Sequence, residues 1–192
     1  KNTFPLGDVE LLDGPFKHAQ ELNLKVLMEY DVERLLAPFL KEAGLPLKAE
    51  LFPNWTGLDG HVGGHYLSAM AMNYAATGND ECRKRMEYML SELKRCQESN
   101  GDGYIGGIPN GKVLWADIKN GKVESIWKYW APWYNIHKIF AGLRDAWLYT
   151  GNKEGLDMFL ELCDWGVSVT EGLSDNKMEQ MLANEFGGMD EI

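Results

Sequence analysis

With 192 residues, 45% of them hydrophobic and 25% charged, the chain has the composition of a folded domain with a substantial core, which excludes intrinsic disorder. A net charge of −10, with Lys and Arg dispersed rather than gathered in a stripe, argues against nucleic acid and anionic membrane surfaces as partners. No apolar run approaches the roughly 20 residues of a membrane span, so membrane insertion is not expected.

Residues 1–12 read as extended, with Phe4, Leu6, Val9, Leu11 and Leu12 apolar. Asp13-Gly14-Pro15 opens a helix, Asp as N-cap and Pro in the first turn. Its stripe of Phe16, Ala19, Leu22, Val26 and Tyr30 is predicted to run on to Leu36, and Gly44-Leu45-Pro46 stops it. A loop containing Trp55 then leads into a helix that carries His61 and His65. That helix is apolar on every side (Tyr66, Leu67, Met70, Ala71, Met72, Tyr74) and is expected to be buried all round. The next, from Asp80 to Gln97, is two-faced, with Met86, Met89, Leu90 and Leu93 opposing Arg83, Lys84, Glu87 and Lys94. Cys82 and Cys96 share this helix, about 21 Å apart at 1.5 Å per residue, too far to bridge. Together with Cys163 they read as small buried apolar residues, without zinc spacing.

A Gly-rich stretch from Asn100 to Gly107 continues through Asn110-Gly111-Lys112 and Asn120-Gly121-Lys122 to Trp127. Each Asn-Gly-Lys is expected to close a small hairpin, and a loop of this length reads as functional or as a lid. Asp102 does not open a calcium loop, because the acidic alternation and the closing Glu are missing. An apolar, aromatic helix follows from Trp133 to Tyr149, and a mixed one from Lys153 to Val169. In the last stretch, 179–191, Gln180 and Glu185 interrupt an apolar helical pattern. Gly187-Gly188 lower its helix stability by roughly 1 kcal/mol each, which points to close packing or ligand approach there.

The chain repeats itself. Thr77-Gly78-Asn79 superposes on Thr150-Gly151-Asn152 at an offset of 73 residues, which also sets Tyr74 on Trp147 and Met86 on Phe159. Each unit is a helix, a turn and a helix, with a buried inner member and an amphipathic outer one, and neither can bury its apolar face alone. A closed ring of helical hairpins fits this period better than a tight solenoid.

His61 and His65 lie one turn apart and face one way. A metal pair is conceivable at that spacing, but Val62 stands where a His-Glu-x-x-His base would be. Under the repeat His137 falls on Gly64, beside His65, so both imidazoles are expected where the inner helices start, at one mouth. Trp55 and the run Trp130-Ala131-Pro132-Trp133-Tyr134 would make that mouth aromatic, and free backbone N–H groups there suit sugar oxygens. Most of the other rings are expected in the core. Glu185, Asp190 and Glu191 are suited to acid–base work or to plain solvation. No nucleophile elbow, P-loop or dinucleotide fingerprint is present.

Four ordered stretches carry a resemblance over nearly the whole chain: residues 55–69 (Trp-Thr-Gly-Leu-Asp-Gly-His-Val-Gly-Gly-His-Tyr-Leu-Ser-Ala), 101–107, 130–138 and 185–191. They resemble the bacterial β-L-arabinofuranosidases of glycoside hydrolase family 127 and its close relative family 146, with the Gly-His-x-x-Gly-His-Tyr run nearer the latter. The resemblance implies an all-α, partial (α/α)6 barrel, a six-hairpin toroid, with β-sandwich domains following in the family. It also implies retaining hydrolysis of β-L-arabinofuranosides of plant glycans by a zinc-bound cysteine thiolate, with a Glu as acid/base; zinc would keep the thiol deprotonated. The family's Ile-Gly-Ser…Glu, Glu-Thr-Cys and Cys-Cys motifs do not occur in this sequence.

Residues 1–192 are therefore expected to be the N-terminal portion of the barrel, without catalytic residues or zinc ligands and silent alone, in a periplasmic or extracellular parent. What carries over is sugar binding. His137 matches the His that contacts arabinose in the −1 subsite, while His61, His65, Trp55, Trp133, Tyr134, Gln180 and Glu185 follow from pocket position. Asp190 departs from the family's usual Asn. Half a ring would leave an apolar flank open, so a homodimer or poor solubility is expected. The rival readings are another hairpin-ring enzyme (epimerase, uronyl hydrolase or lyase), a non-catalytic glycan-binding module, or a helical scaffold for protein partners, the last favoured by burial of Trp133 and His137.

Overall fold

The inner helices meet backbone to backbone, because glycine occupies the crossing. A computed structural model describes residues 3–53 and 57–191, and its regular structure there is entirely helical. Helix α1 spans Pro15–Met28, α2 Val32–Glu42, α3 His61–Thr77, α4 Asp80–Asn100, α5 Gly111–Lys119, α6 Pro132–Thr150, α7 Lys153–Thr170 and α8 Asp175–Leu182. Short 3-10 turns occupy Leu6–Asp8, Val123–Lys128 and Gly188–Glu191. Where α3 passes α6, a Cβ on Gly64 would overlap the Lys138 carbonyl, and one on Gly142 would lie 2.9 Å from the Gly64 carbonyl oxygen. α4 and α7 lie outside this pair, giving an all-helical architecture of the α/α-toroid type.

The repeat works through its caps. Gly78 and Gly151 end α3 and α6 in the left-handed region, at φ 68° and 72°, and each donates its N–H to the carbonyl four residues back. Asn79 then accepts from the backbone of Glu81 and Cys82 to start α4, and Asn152 from that of Gly155 to start α7. The same tripeptide thus stops an inner helix and starts an outer one twice. The outer helices bury one face only: Met86, Met89, Leu90 and Leu93 from α4, Met158, Leu162 and Trp165 from α7.

Five sequence expectations are corrected. The helix from residue 13 towards Leu36 is two helices, since Asp31 accepts from Glu33 N and caps α2. α1 itself buries no residue, and Phe16, Leu22 and Val26 are exposed. Helix α3, expected buried all round, is covered by α2, α4 and α6 and leaves His65 and Met72 exposed. The Asn-Gly-Lys pairs close no hairpins. The first starts α5 and the second ends it, because Leu114, Trp115 and Ile118 form a helical stripe that buries itself in the core. The Gly-rich loop is not a surface lid either. Tyr104, Ile105 and Ile108 are buried in it, the Tyr104 ring 4.9 Å from that of Trp165. Gly106 and Gly111 leave the room that its hydroxyl occupies. Finally, α8 stops at Leu182, and Gly187, at φ 92°, turns the chain into a separate 3-10 turn instead of continuing one helix through 191.

Cys82 and Cys96 are buried and unbridged, and Cys163 is partly exposed and free.

Candidate functional site

Three of the singled-out side chains converge where α3 and α6 begin. The His61 and His65 rings lie 6.2 Å apart, edge to face, and each lies close to the Tyr134 ring, at 6.0 and 6.4 Å. His65 Nε2 is 3.4 Å from the Tyr134 hydroxyl. His61 is buried, and its Nδ1 is hydrogen-bonded to the Leu58 carbonyl, which fixes the ring over the entry to α3. His65 remains exposed.

Helix α6 is held to this entry by Asn135. Its amide donates to the carbonyls of Leu58 and Asp59, at 3.0 and 2.8 Å, so one buried side chain ties the two helix starts together. Asp59 in turn accepts from Gly57 N at 2.9 Å. The first turn of α6 has no cap of its own, and Ala131 before it sits at φ 46°, a region that non-glycine residues avoid. Instead, Glu185 places its two carboxylate oxygens on the N–H groups of Trp133 (2.9 Å) and Tyr134 (2.8 Å). A carboxylate there satisfies two orphan donors and faces the positive end of the helix dipole. Burial pushes the Glu185 carboxyl above its ordinary pKa, against those two hydrogen bonds.

His137 lies one turn along from Tyr134 and is 4% exposed, under the Gly188–Glu191 turn. Gly188 lies over the ring, where a Cβ would make ordinary van der Waals contact with the imidazole Cγ at 3.7 Å. Nε2 comes within 3.2 Å of a Glu191 carboxylate oxygen, an ion-pair distance without hydrogen-bond alignment, and Nδ1 has no protein partner. Trp133 is turned inward, its ring 4.7 Å from Trp115, with Nε1 likewise unpartnered. Gln180 is not brought to the site; it is exposed on α8 and donates to Asn176 Oδ1. Trp55 lies outside the described residues.

Lys138 belongs to this group although the sequence reading passed over it. Its ammonium sits 4.6 Å from the Tyr134 ring centroid, a cation–π contact. The signal was available in the i, i+4 spacing of Tyr134 and Lys138. Burial first, and then the Lys138, His61 and His137 charges, hold His65 below its ordinary pKa. His137 is lowered by burial and then by Lys138, with Glu191 opposing. Both shifts favour the neutral form of His65 and His137, in which an imidazole donates one hydrogen bond and accepts another. Asn135 carried no such signal, because its partners lie 76 and 77 residues away.

A hollow of about 590 Å³ opens beside the site, with Phe140, Val167, Met178, Met181 and Met189 in its walls and Trp133, Tyr134 and Glu185 among its residues. Neither His61 nor His65 lines it. Its walls suit apolar groups better than sugar hydroxyls. Among the described residues, no cluster of three or more His, Cys, Asp or Glu side chains is arranged to hold a metal ion.

A family model described as the β-L-arabinofuranosidase, glycoside hydrolase family 127 catalytic domain, matches residues 8–192. No curated protein matches the chain.

Proposed function

The chain belongs to the family of the glycoside hydrolase family 127 β-L-arabinofuranosidase catalytic domain, and on that premise we propose that it forms part of the sugar-binding wall of a retaining β-L-arabinofuranosidase. The observation that carries this reading is the meeting of His61, His65 and Tyr134 at the paired starts of α3 and α6. The His65 imidazole and the Tyr134 phenol present donor and acceptor atoms, which is what the hydroxyls of a furanose require. Buried donors without protein partners cost free energy, and a hydroxyl reaching His137 Nδ1 or Trp133 Nε1 would recover it.

In this reading, His65 and Tyr134 bind and orient the arabinofuranosyl ring. His61 and Asn135 hold the entry in place, and Glu185 fixes the first turn of α6 so that Tyr134 keeps its position. The described residues do not fit a zinc site, so the zinc-held thiolate and the acid/base Glu of the family are assigned to residues beyond 1–192 of a longer protein, and no step is routed through them here. The substrate is a glycan bearing L-arabinofuranosyl units, met outside the cytoplasm. The exposed apolar residues of α1 and of the 182–186 segment, Phe16, Val26, Leu182 and Phe186, support self-association of the chain on its own.

A longer protein containing this chain is expected to release arabinose from p-nitrophenyl β-L-arabinofuranoside in the presence of zinc. No release under those conditions rejects the assignment. Burial of Trp133 and His137 favours a second reading, a helical scaffold for protein partners. Family membership weighs against it, and so does the exposed His65–Tyr134 pair, since a purely structural scaffold gains nothing from leaving these groups in water.

A further inference from the structure

Two residues before α6 stands an aromatic side chain left largely outside the core. Trp130 is 62% exposed. It lies between Tyr129, whose hydroxyl donates to the Asn110 carbonyl, and the strained Ala131. The left-handed backbone at Ala131 reverses the chain between the 3-10 turn Val123–Lys128 and α6, and Trp130 is the residue left outside the bend. It neighbours Gly57, where an added Cβ would lie 3.7 Å from Trp130 Cβ and 3.9 Å from Cε3. Gly57 precedes His61 by four residues and is itself pinned by the Asp59 carboxylate. Trp130 therefore lies where the segments entering α3 and α6 approach each other, just ahead of the helix starts that carry His61 and Tyr134.

An indole this exposed costs solubility and adds little to the core. Held on one side by backbone and open on the other, it presents a flat apolar plate. The C–H face of a sugar ring suits that plate, because its weakly positive hydrogens meet the negative face of the aromatic system. A terminal arabinofuranosyl unit held at His65 and Tyr134 would leave the rest of the glycan to continue from its glycosidic bond to a second ring outside. We propose that Trp130 is the stacking platform for that second sugar of the glycan, on the leaving-group side of the furanose. The proposal rests on the sugar-site reading above and adds the subsite next to it.

The test is binding by this chain of methyl β-L-arabinofuranoside and of a disaccharide ending in β-L-arabinofuranose, measured by NMR titration. The wild-type chain is expected to bind the disaccharide about tenfold more tightly than the monosaccharide, as the area one ring covers on an indole face implies. Trp130→Ala should remove that tenfold and shift monosaccharide affinity less than twofold, while Trp130→Phe keeps most of it. In the wild type, the Trp130 indole N–H resonance, assigned by its loss in Trp130→Phe, should move with the disaccharide and stay still with the monosaccharide. This measurement stands even if Trp130→Ala does not fold. A disaccharide advantage that survives Trp130→Ala, an equal loss for both sugars, no advantage in the wild type, or an unmoved indole resonance overturns the platform and leaves the furanose site standing. A wild-type chain that binds neither sugar overturns the furanose site, and the platform with it.

Discussion

Helices α3 and α6 occupy equivalent places in the repeat and end on the same Thr-Gly-Asn turn, yet they begin differently. α3 enters from Gly60, itself left-handed at φ 100°, a conformation that costs glycine little. α6 enters through a strained alanine and a proline, and its first two N–H groups beyond the proline are held by Glu185, 51 and 52 residues downstream. The first entry turns on its own glycine and is tied to α6 through the Asn135 amide on the Leu58 and Asp59 carbonyls. The second depends on a distant carboxylate, so Tyr134 stays in place only as long as the 183–191 segment does.

Four measurements would break or sharpen this contrast. The largest effect is expected where the two helices touch. Gly64→Ala forces a methyl into the Lys138 carbonyl and should destabilise the chain by about 3 kcal/mol in urea denaturation, since backbone cannot step aside. A loss below about 0.5 kcal/mol would mean that the crossing is loose. Next comes Glu185→Ala, which leaves two helix donors partly buried and bare and should cost about 2 kcal/mol. Replacing Asp59, which serves the α3 side, should cost less if the contrast holds.

The third concerns pH. Folding lowers the pKa of His65 and His137 below the ordinary 6.5, so the unfolded chain takes up these protons first as pH falls. Their contribution to stability is complete above that value and is lost as pH drops through the lowered folded values. Lys138→Met removes one cause and should raise both pKa values in a histidine NMR titration, softening the acid loss of stability. Unmoved resonances would show that Lys138 is not among the causes. Glu185 has the opposite sign, its raised carboxyl contributing most below its ordinary pKa and less as pH rises through the folded value. The smallest effect is expected at Ala131. Glycine there relieves the positive φ and should stabilise by about 1 kcal/mol, raising Tm by about 3 °C. A destabilised variant would mean that the methyl packs usefully.

Much of the architecture was legible because it is periodic. The duplicated turn predicted two hairpins, and both form; the structure adds how, through glycine at one helix end and asparagine at the next. The Tyr104 plug was not legible. Gly103-Tyr104-Ile105-Gly106 reads as a loop, and only the meeting of Tyr104 with Trp165 makes it core. The break at Asp31 was missed because an apolar stripe crosses it, and a capping side chain outweighs a stripe. Of the site, His61, His65 and Tyr134 met as their register implied. Glu185 instead holds a helix end, a role with no signature in a chain read one window at a time.

The sequence by itself determined the all-helical class, the two hairpins and their caps, because caps and 3.6-residue stripes act over a few neighbouring residues. Tertiary structure alone decided how close α3 and α6 lie, which carboxylate covers the start of α6, and that His137 is buried under the Gly188–Glu191 turn. Those outcomes depend on groups dozens of residues apart, and their free energies appear only once burial has removed the water between them.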